Sequence, residues 1–310
     1  MTLQPLLTTG RPCAVLTGGT GFIGSSLAGS LVSKGYNVHI LTRQKSLLKN
    51  KDKYHYAGLE ADEMTTLFKE LKPNVVFHLA TSFVAEHKTE DLRGMLDSNI
   101  SLGARILEAM YRSDCKMLVN TATSWQHYAS GSREYMATNL YAAMKTSFEV
   151  IIDYYSRAHG LRAISITLFD SYGPRDSRGK LISHLLDGLA KGIQISMSEG
   201  EQRLCLVHVD DVTDALMRCA ELVSSQAECS HIKYVLGGLE RHSLRQIVTM
   251  IELLSSRSMN IAWGTKPYRK HEIMEPWRMG APLPGWAPKV SLKEGLSQLI
   301  TTLSPRCNEK

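Results

Sequence analysis

Along the first half of the chain, short continuous apolar runs alternate with longer segments whose apolar residues recur every three or four positions. Residues 13–16, 38–41, 75–80 and 116–120 form the first set, and runs of this length with few polar interruptions read as strands buried on both faces. Residues 22–31, 61–71, 92–112 and a segment opening at 139–145 and running to about 159 form the second, with the period of helices that cover a sheet. Strand followed by helix, repeated, predicts an α/β fold, a doubly wound parallel sheet with helices on both faces. Residues 51–58 carry only a weak pattern, and beyond Pro174 the strict alternation stops. The segments 175–202 and 231–290 are instead rich in Gly, Pro, Arg and aromatic residues, the apolar run 204–207 and a helix at 212–222 intervene, and a helix at 292–303 closes the chain.

At the junction of the first strand and first helix, Gly18, Gly21 and Gly24 stand at Gly-x-x-Gly-x-x-Gly spacing. Gly18 permits a tight turn, Gly21 lets the backbone approach a pyrophosphate, and Gly24 lets the new helix pack close to the strand while its N-terminal amides face the anion. Thr20, Phe22 and Ile23 belong to the same clamp. Residues 1–170 are therefore expected to form a Rossmann-type dinucleotide-binding domain, to which about 204–230 return, and 171–310 mainly a smaller C-terminal substrate lobe.

The ends of the following strands select the cofactor. An NAD site usually places Asp or Glu after the second strand to accept from the ribose hydroxyls, and that carboxylate would repel a 2′-phosphate. Here the strand ends in Thr42 and Arg43, so NADP is favoured, with NAD as the other possibility and a solvated loop cation beside Lys45 as the plainer reading of Arg43. Leu79, Ala80 and Thr81 end the next strand, on the edge where such sheets bind ligands. His78, inside that strand, reads as a core histidine.

With 43% hydrophobic and 21% charged residues, the 310-residue chain can bury a large core. Its formal charge of +6 comes from scattered residues with no long Lys/Arg block, which suits soluble anions as partners and argues against nucleic acid. Residues 1–12 carry no apolar core of signal-peptide length, and no run of about 18 apolar residues is present to span a bilayer. A cytoplasmic protein without membrane contact is expected. Cys13, Cys115, Cys205, Cys219, Cys229 and Cys307 lack metal-ligand spacing and read as buried thiols. No metal site is expected.

The strand at 116–120 runs into a cluster of hydroxyls, Thr121, Thr123 and Ser124, at the edge where chemistry is expected. Tyr141 and Lys145 follow, four residues apart, which on a helix puts both side chains on one face. A free phenol, with a pKa of about 10, is a poor acid-base group at neutral pH. A nearby ammonium and a cationic nicotinamide favour its phenolate, and a Thr or Ser hydroxyl from the preceding strand can hold the substrate oxygen. A Tyr-x-x-x-Lys pair alone is commonplace on helices; its place in this chain gives it weight.

The glycine turn, His78-Leu79-Ala80, Asn99, residues 121–124, Tyr141 to Lys145, Leu168-Phe169-Asp170-Ser171-Tyr172-Gly173-Pro174 and Val207-His208-Val209-Asp210-Asp211-Val212 stand in one order along nearly the whole chain. Together they resemble the extended short-chain dehydrogenase/reductase family, of the NAD-dependent epimerase/dehydratase type, which handles nucleotide-linked sugars. The resemblance implies Tyr141 as general acid or base, Lys145 as the residue that orients the nicotinamide ribose, Asn99 beside the cofactor, and Thr123 as the active hydroxyl with Ser124 the neighbouring candidate. It implies Asp170 and Ser124 at the substrate, although many relatives have Asn in place of Asp170. Arg175, Arg178 and Lys180 after the Tyr-Gly-Pro turn, and Arg203 before the run 204–207, are candidate partners for a diphosphate, since Arg forks match phosphate geometry; each has an ordinary solvated rim as its plainer reading. Asp210 and Asp211 read as N-terminal caps of a helix. A homodimer is the expected assembly.

Three reaction classes share the family scaffold. Dehydratases follow the hydroxyl residue with an Asp-Glu pair, where this chain has Ser124 and Trp125, so dehydration is disfavoured. An epimerase retains one NAD, whereas a net reductase exchanges its cofactor and commonly draws on NADPH, which fits Thr42 and Arg43. The runs 120–128, 168–174 and 196–202 resemble the CDP-abequose synthase group, which reduces the 4-keto group of CDP-3,6-dideoxyhexoses. The expectation is an NADPH-dependent 4-ketoreductase of a nucleotide-diphosphate sugar, with an NAD-dependent epimerase as alternative and a non-enzymatic cofactor sensor on the same fold as the more distant one.

Overall fold

Five consecutive buried residues make β1 (Cys13–Thr17) the centre of a sheet. In the computed structural model, which describes residues 10–50 and 52–303, the chain continues through α1 (Phe22–Ser33), β2 (Asn37–Thr42), β3 (Tyr54–Tyr56), α2 (Ala61–Leu71), β4 (Val75–His78), α3 (Asp91–Leu96), α4 (Leu102–Arg112), β5 (Met117–Thr123), α5 (Leu140–His159) and β6 (Arg162–Leu168). There follow β7 (Asp170–Tyr172), α6 (Leu181–Lys191), β8 (Ile195–Ser196), β9 (Arg203–His208), α7 (Val209–Ser224), β10 (His231–Val235), β11 (Arg241–Ser243), α8 (Leu244–Ser255), β12 (Ile261–Ala262) and α9 (Leu292–Leu303). A seven-stranded sheet has the order β10-β6-β5-β4-β1-β2-β3. The pairings from β5 across to β3 are parallel. On the other side, Ala163 N bonds to Ser230 O and Leu236 N to Thr167 O, so β6 and β10 advance in the same direction. The expected doubly wound parallel α/β sheet is present. Its strand order reverses between β1 and β4, and that reversal opens a crevice outside their carboxyl ends.

The chain divides into two compact units, Met1–Thr121 with Ser147–Ser165 and Leu216–Ile232, and Ala122–Thr146 with Ile166–Ala215 and Lys233–Lys310. In the first, Met64 and Phe68 of α2, Ile106 and Met110 of α4, and Phe148 and Ile152 of α5 pack with Val15, Val76 and Leu118 of the sheet. In the second, Leu185, Ile247 and Leu296 of α6, α8 and α9 surround Tyr172 and Leu206. Among the described residues no helix is long and apolar enough to cross a membrane.

Local chemistry explains where elements stop. The Glu63 carboxylate accepts from the Glu60 backbone N–H at 3.0 Å and opens α2, whose end is set by Pro73. The residue before a proline is pushed out of the helical region, and Lys72 takes the left-handed conformation at φ 47°.

Three expectations need correction. The segment 92–112 is not one regular helix: a π turn over residues 97–101 separates α3 from α4, and such a turn inserts an extra residue that re-aims its neighbours. Asp210 and Asp211 lie in the first turn of α7, but the buried Asp211 carboxylate accepts from the backbone N–H groups of Lys289 and Val290 at 2.9 and 3.0 Å. It anchors the segment leading to α9. Cys13, Cys115, Cys205 and Cys219 are buried but Cys229 is exposed, and Cys307 lies outside the described residues. Burial pushes the Cys115 and Cys219 thiols up to about 12.

β3 and β6 are among the strands that no apolar run announced. β3 is a three-residue edge strand of two tyrosines and a histidine. β6 carries Ser165 and Thr167, both buried. Ser165 Oγ accepts from Asn120 Nδ2 at 2.9 Å and lies 2.8 Å from His231 Nε2, while His231 Nδ1 lies 2.7 Å from the Asp153 carboxylate. The carboxylate holds the proton on Nδ1, so Nε2 accepts and the serine hydroxyl donates.

Beside β3, His39 Nδ1 and His55 Nε2 are 3.0 Å apart, and Asn37 Nδ2 lies 2.9 Å from His39 Nε2. Burial pushes both imidazoles below their ordinary range, His39 adds to the effect on His55, and Asp52 and Glu70 oppose it at His39 and His55 respectively. The folded chain therefore binds fewer protons here than the unfolded chain. This contribution to stability is complete above about pH 6.5, the ordinary histidine value, and is lost as pH falls from there through the folded-state pKa values. The melting temperature is expected to fall over that window, and less steeply in His39→Gln; an equally steep profile in the variant would remove the pair as its origin.

Candidate active site

One candidate cluster is built where β1 and β4 end. Thr17, fully buried, accepts through Oγ1 from the backbone N–H groups of Leu79 and Ala80 at 3.1 and 3.0 Å, and the same oxygen lies 3.0 Å from His78 Nδ1. A hydroxyl has two lone pairs and one proton. Both lone pairs are taken by the amides, so the hydroxyl proton goes to Nδ1 and His78 carries its own proton on Nε2. His78 is a core histidine that fixes the end of β4.

This close junction explains the glycines. Gly18 has φ +70°, and a Cβ there would stand 2.8 Å from Ala80 N. A Cβ on Gly24 would run into the Gly18 carbonyl. Gly21 N donates to Gly18 O at 2.9 Å and closes the turn. Gly21 is also the N-cap of α1, and the first turn of that helix has no acidic residue, so the leading amides and the positive end of the dipole are open to an anion. Thr20 and Gly21 are exposed there, with Phe22 and Ile23 half-buried behind them. A cradle of bare backbone at a helix start fits a dinucleotide pyrophosphate.

Around the cradle, Thr42 is buried, with Oγ1 accepting from Gln44 N at 3.1 Å. Arg43 is exposed, and its guanidinium donates to Ser98 Oγ at 3.3 Å. Ser98 and Asn99 belong to the π turn and both are buried. Asn99 Oδ1 accepts from Thr81 Oγ1 at 2.7 Å and Ser82 N at 2.9 Å, and its Nδ2 donates to Ser82 O at 3.0 Å. The π turn thus holds Arg43 and pins residues 80–82. Thr17 and Ser98 were missed in the sequence: Thr17 sat inside an apolar run and Ser98 beside a helix irregularity that no residue pattern marks.

A second candidate cluster belongs to the other unit. Thr123 ends β5 and is buried, as are Ser124, Tyr141 and Lys145. Tyr141 is 8% and Lys145 3% exposed, so neither points from the solvent face of α5. Asn139 orients that helix, its Oδ1 accepting from Ala142 N at 2.9 Å. Thr123 Oγ1 accepts from Trp125 N at 3.3 Å and, in a capping box, from the Gln126 backbone N–H, which leaves the hydroxyl proton for another partner.

The cationic candidates separate. Arg175 is exposed in a left-handed conformation at φ 64°. Arg203 is exposed and pairs with Glu275 at 3.9 Å. Arg178 is bound by both Asp176 carboxylate oxygens at 2.7 Å and by Ser171 O at 2.8 Å. Burial lowers the Lys180 pKa, Asp170 and Asp176 oppose that, and Arg178 and Arg269 reinforce it. Asp170 opens β7, half-buried, paired with Leu206 of β9. Arg269, absent from the sequence reading because it stands on a loop without a motif, lies 5.4 Å over the Trp125 ring. Lys180, Arg269, Asp170 and Trp125 therefore belong to one neighbourhood that can take an anionic ligand.

The chain is similar to known proteins over most of its length. The profile described as the NAD dependent epimerase/dehydratase family matches residues 14–237. The chain is 27% identical to CDP-abequose synthase of Yersinia pseudotuberculosis, over 84% of this chain and 90% of that protein. It is 27% identical to UDP-glucose 4-epimerase of Mycolicibacterium smegmatis, over 92% and 96% of the two chains. The crystal structure of Thermus thermophilus UDP-glucose 4-epimerase in complex with NAD superposes with a TM-score of 0.78 at 21% identity, covering 94% of this chain and 98% of that one.

Thr17→Val keeps the side chain's size but strands two amides and an imidazole nitrogen. With an unsatisfied buried polar group costing about 1–3 kcal/mol, urea unfolding should lose about 2–4 kcal/mol, and Thr17→Ser should restore most of it. A Thr17→Val protein as stable as the wild type would show that the hydroxyl does not hold the junction.

Proposed function

The chain belongs to the NAD dependent epimerase/dehydratase family, and from that premise we propose that it reduces the 4-keto group of a nucleotide-linked deoxy sugar, a CDP-linked one, with NADPH. The observation that carries the reading is the buried Tyr141 and Lys145 pair one turn apart on α5, together with a buried Thr123 followed by Ser124 and Trp125 where elimination would need carboxylates. Reducing a ketone takes one hydride and one proton. The glycine cradle of Gly18, Gly21 and Gly24, with Arg43 on the 2′-phosphate, would hold the cofactor, and Leu79, Ala80, Thr81 and Asn99 would line it. When bound, the reduced nicotinamide supplies the hydride to the carbonyl carbon.

The chain's own residues do the rest. Thr123 donates to the ketone oxygen and Tyr141 delivers a proton to it, so the carbonyl becomes a hydroxyl and the phenolate is reprotonated from solvent. Lys145 stabilises that phenolate and holds the nicotinamide ribose. Ser124 and Asp170 contact the sugar, while Lys180 and Arg269, with Arg175 and Arg203 farther out, meet the diphosphate. The likeness to CDP-abequose synthase supports the base and the reaction. The likeness to UDP-glucose 4-epimerase favours a second reading, epimerisation with a retained NAD.

The experiment that decides is incubation of the protein with NADPH and a panel of CDP-, dTDP-, UDP- and GDP-linked 4-keto sugars, followed by the reduced cofactor's absorbance and identification of the product. Stoichiometric oxidation of NADPH on one sugar is expected; interconversion of two epimers without net consumption would establish the epimerase. Tyr141→Phe should bind cofactor nearly normally yet lose about a hundredfold or more in turnover. Thr123→Ala should lose far more activity than Ser124→Ala, and the reverse order would move the hydroxyl role to Ser124. Arg43→Ala should weaken NADPH by about tenfold, or 1.4 kcal/mol, and leave NADH unchanged; equal NADPH affinity would detach Arg43 from the 2′-phosphate.

A further inference from the structure

Directly after the hydroxyl residues stands Gln126, only 1% exposed. A buried primary amide has to place two donors and an acceptor, and an amide in this position therefore has a fixed direction. The Thr123 backbone N–H donates to Gln126 Oε1 at 2.9 Å. That settles which end of the amide is oxygen, so the opposite end donates: Gln126 Nε2 lies 3.1 Å from Thr146 Oγ1. The Thr146 hydroxyl in turn donates to Ala142 O at 3.2 Å. Every bond in the series has one possible donor direction.

The series joins two pieces of chain that the proposed chemistry needs in register. At one end is the main chain of Thr123. At the other is the turn of α5 in which Ala142 follows Tyr141 and Thr146 follows Lys145. The same loop is fastened a second time, by Thr138 N and Oγ1 donating to Trp125 O at 3.0 and 3.2 Å, but that fastening holds the approach to α5, whereas Gln126 reaches the turn itself.

We propose that Gln126 is the positioning residue of this site, a buried amide that holds Thr123 in register with the helix turn carrying Tyr141 and Lys145. The proposal rests on the reading of Thr123, Tyr141 and Lys145 given above. None of the bonds described above reaches a reacting atom. The effect of Gln126 comes through placement, because a hydroxyl displaced by about 1 Å from a reacting oxygen can cost on the order of a hundredfold in rate while leaving ligand binding almost intact.

The test removes the bridge from either end. Gln126→Met keeps length and loses both bonds; Thr146→Val is near-isosteric and keeps the glutamine; Thr146→Ser retains the hydroxyl. With NADPH and the keto sugar that the wild type reduces, Gln126→Met and Thr146→Val should each lower kcat by about 10- to 100-fold with KM within about twofold. Thr146→Ser should stay near the wild type. A second readout needs no substrate: the ultraviolet phenolate step that disappears in Tyr141→Phe should move to higher pH in both damaging variants, because the Thr123 hydroxyl, which with no ketone bound is proposed to donate to the phenolate, is no longer held in register. Wild-type kcat and an unmoved Tyr141 step in Thr146→Val would overturn the proposal, even if Gln126→Met fails to fold. If the wild type reduces none of the sugars, the ketoreductase reading falls, while the Tyr141 step still decides the role of Gln126.

Discussion

One hydroxyl governs how the carboxyl edge of the sheet is built between β1 and β4. Thr17 Oγ1 takes the amides of Leu79 and Ala80 and gives its proton to His78, so the carboxyl ends of β1 and β4 cannot separate without stranding three buried polar groups. The cost of such groups is what makes the junction rigid. Its closeness then dictates the residues that follow. With Ala80 N so near, position 18 has no room for a side chain and needs a positive φ, and with the Gly18 carbonyl turned inwards, position 24 has none either. The glycine spacing is the shadow of that contact. Open amides at the start of α1 are its by-product, and they are what an anion meets.

The same logic runs through the polar residues buried elsewhere. Asn99, Asn120, Gln126, Asp211 and His231 are interior and each is used to hold main chain or a neighbouring side chain. In a parallel sheet covered on both faces, strand ends are where regular pairing runs out. Buried amides and carboxylates supply the missing partners there. Strand ends are also where ligands bind, so the side chains that finish the fold and those that face the ligand come from the same few positions along the chain.

This explains which parts were legible. Strand and helix alternation was plain up to Pro174, because strands buried on both faces must be apolar throughout, and the glycines were plain because only one residue fits their backbone. That Tyr141 and Lys145 share one helix face was legible from their spacing, and both are buried on α5. β6 was not, since Ser165 and Thr167 interrupt its apolar run and are made tolerable only by partners such as Asn120 and His231, far away in sequence. The π turn at 97–101 was hidden for a similar reason: its cause is the demand of residues 80–82 for Asn99, a tertiary contact rather than a local preference. Arg269 and Gln126 escaped because neither residue type carries a signature; each acquires meaning only from what lies beside it, Trp125 in one case and Thr146 in the other.

The formal charge of +6 says less about the ligand than the distribution of unspent cations does. Arg178 is held by Asp176, Lys289 by Asp214, and Arg112 by Asp62 and Glu108, pairings that leave little for an incoming anion. Lys180 differs. Burial destabilises its ammonium, and Arg178 and Arg269 add to that, against the opposing pull of Asp170 and Asp176. A group held below its ordinary pKa by desolvation and like charge gains more from a new negative neighbour than an exposed lysine does, because the low-dielectric surroundings that penalise the lone charge also strengthen its attraction to a partner. The neighbourhood of Lys180 and Arg269 can therefore take an anion, and Asp170 opposes part of that gain by already supporting the ammonium.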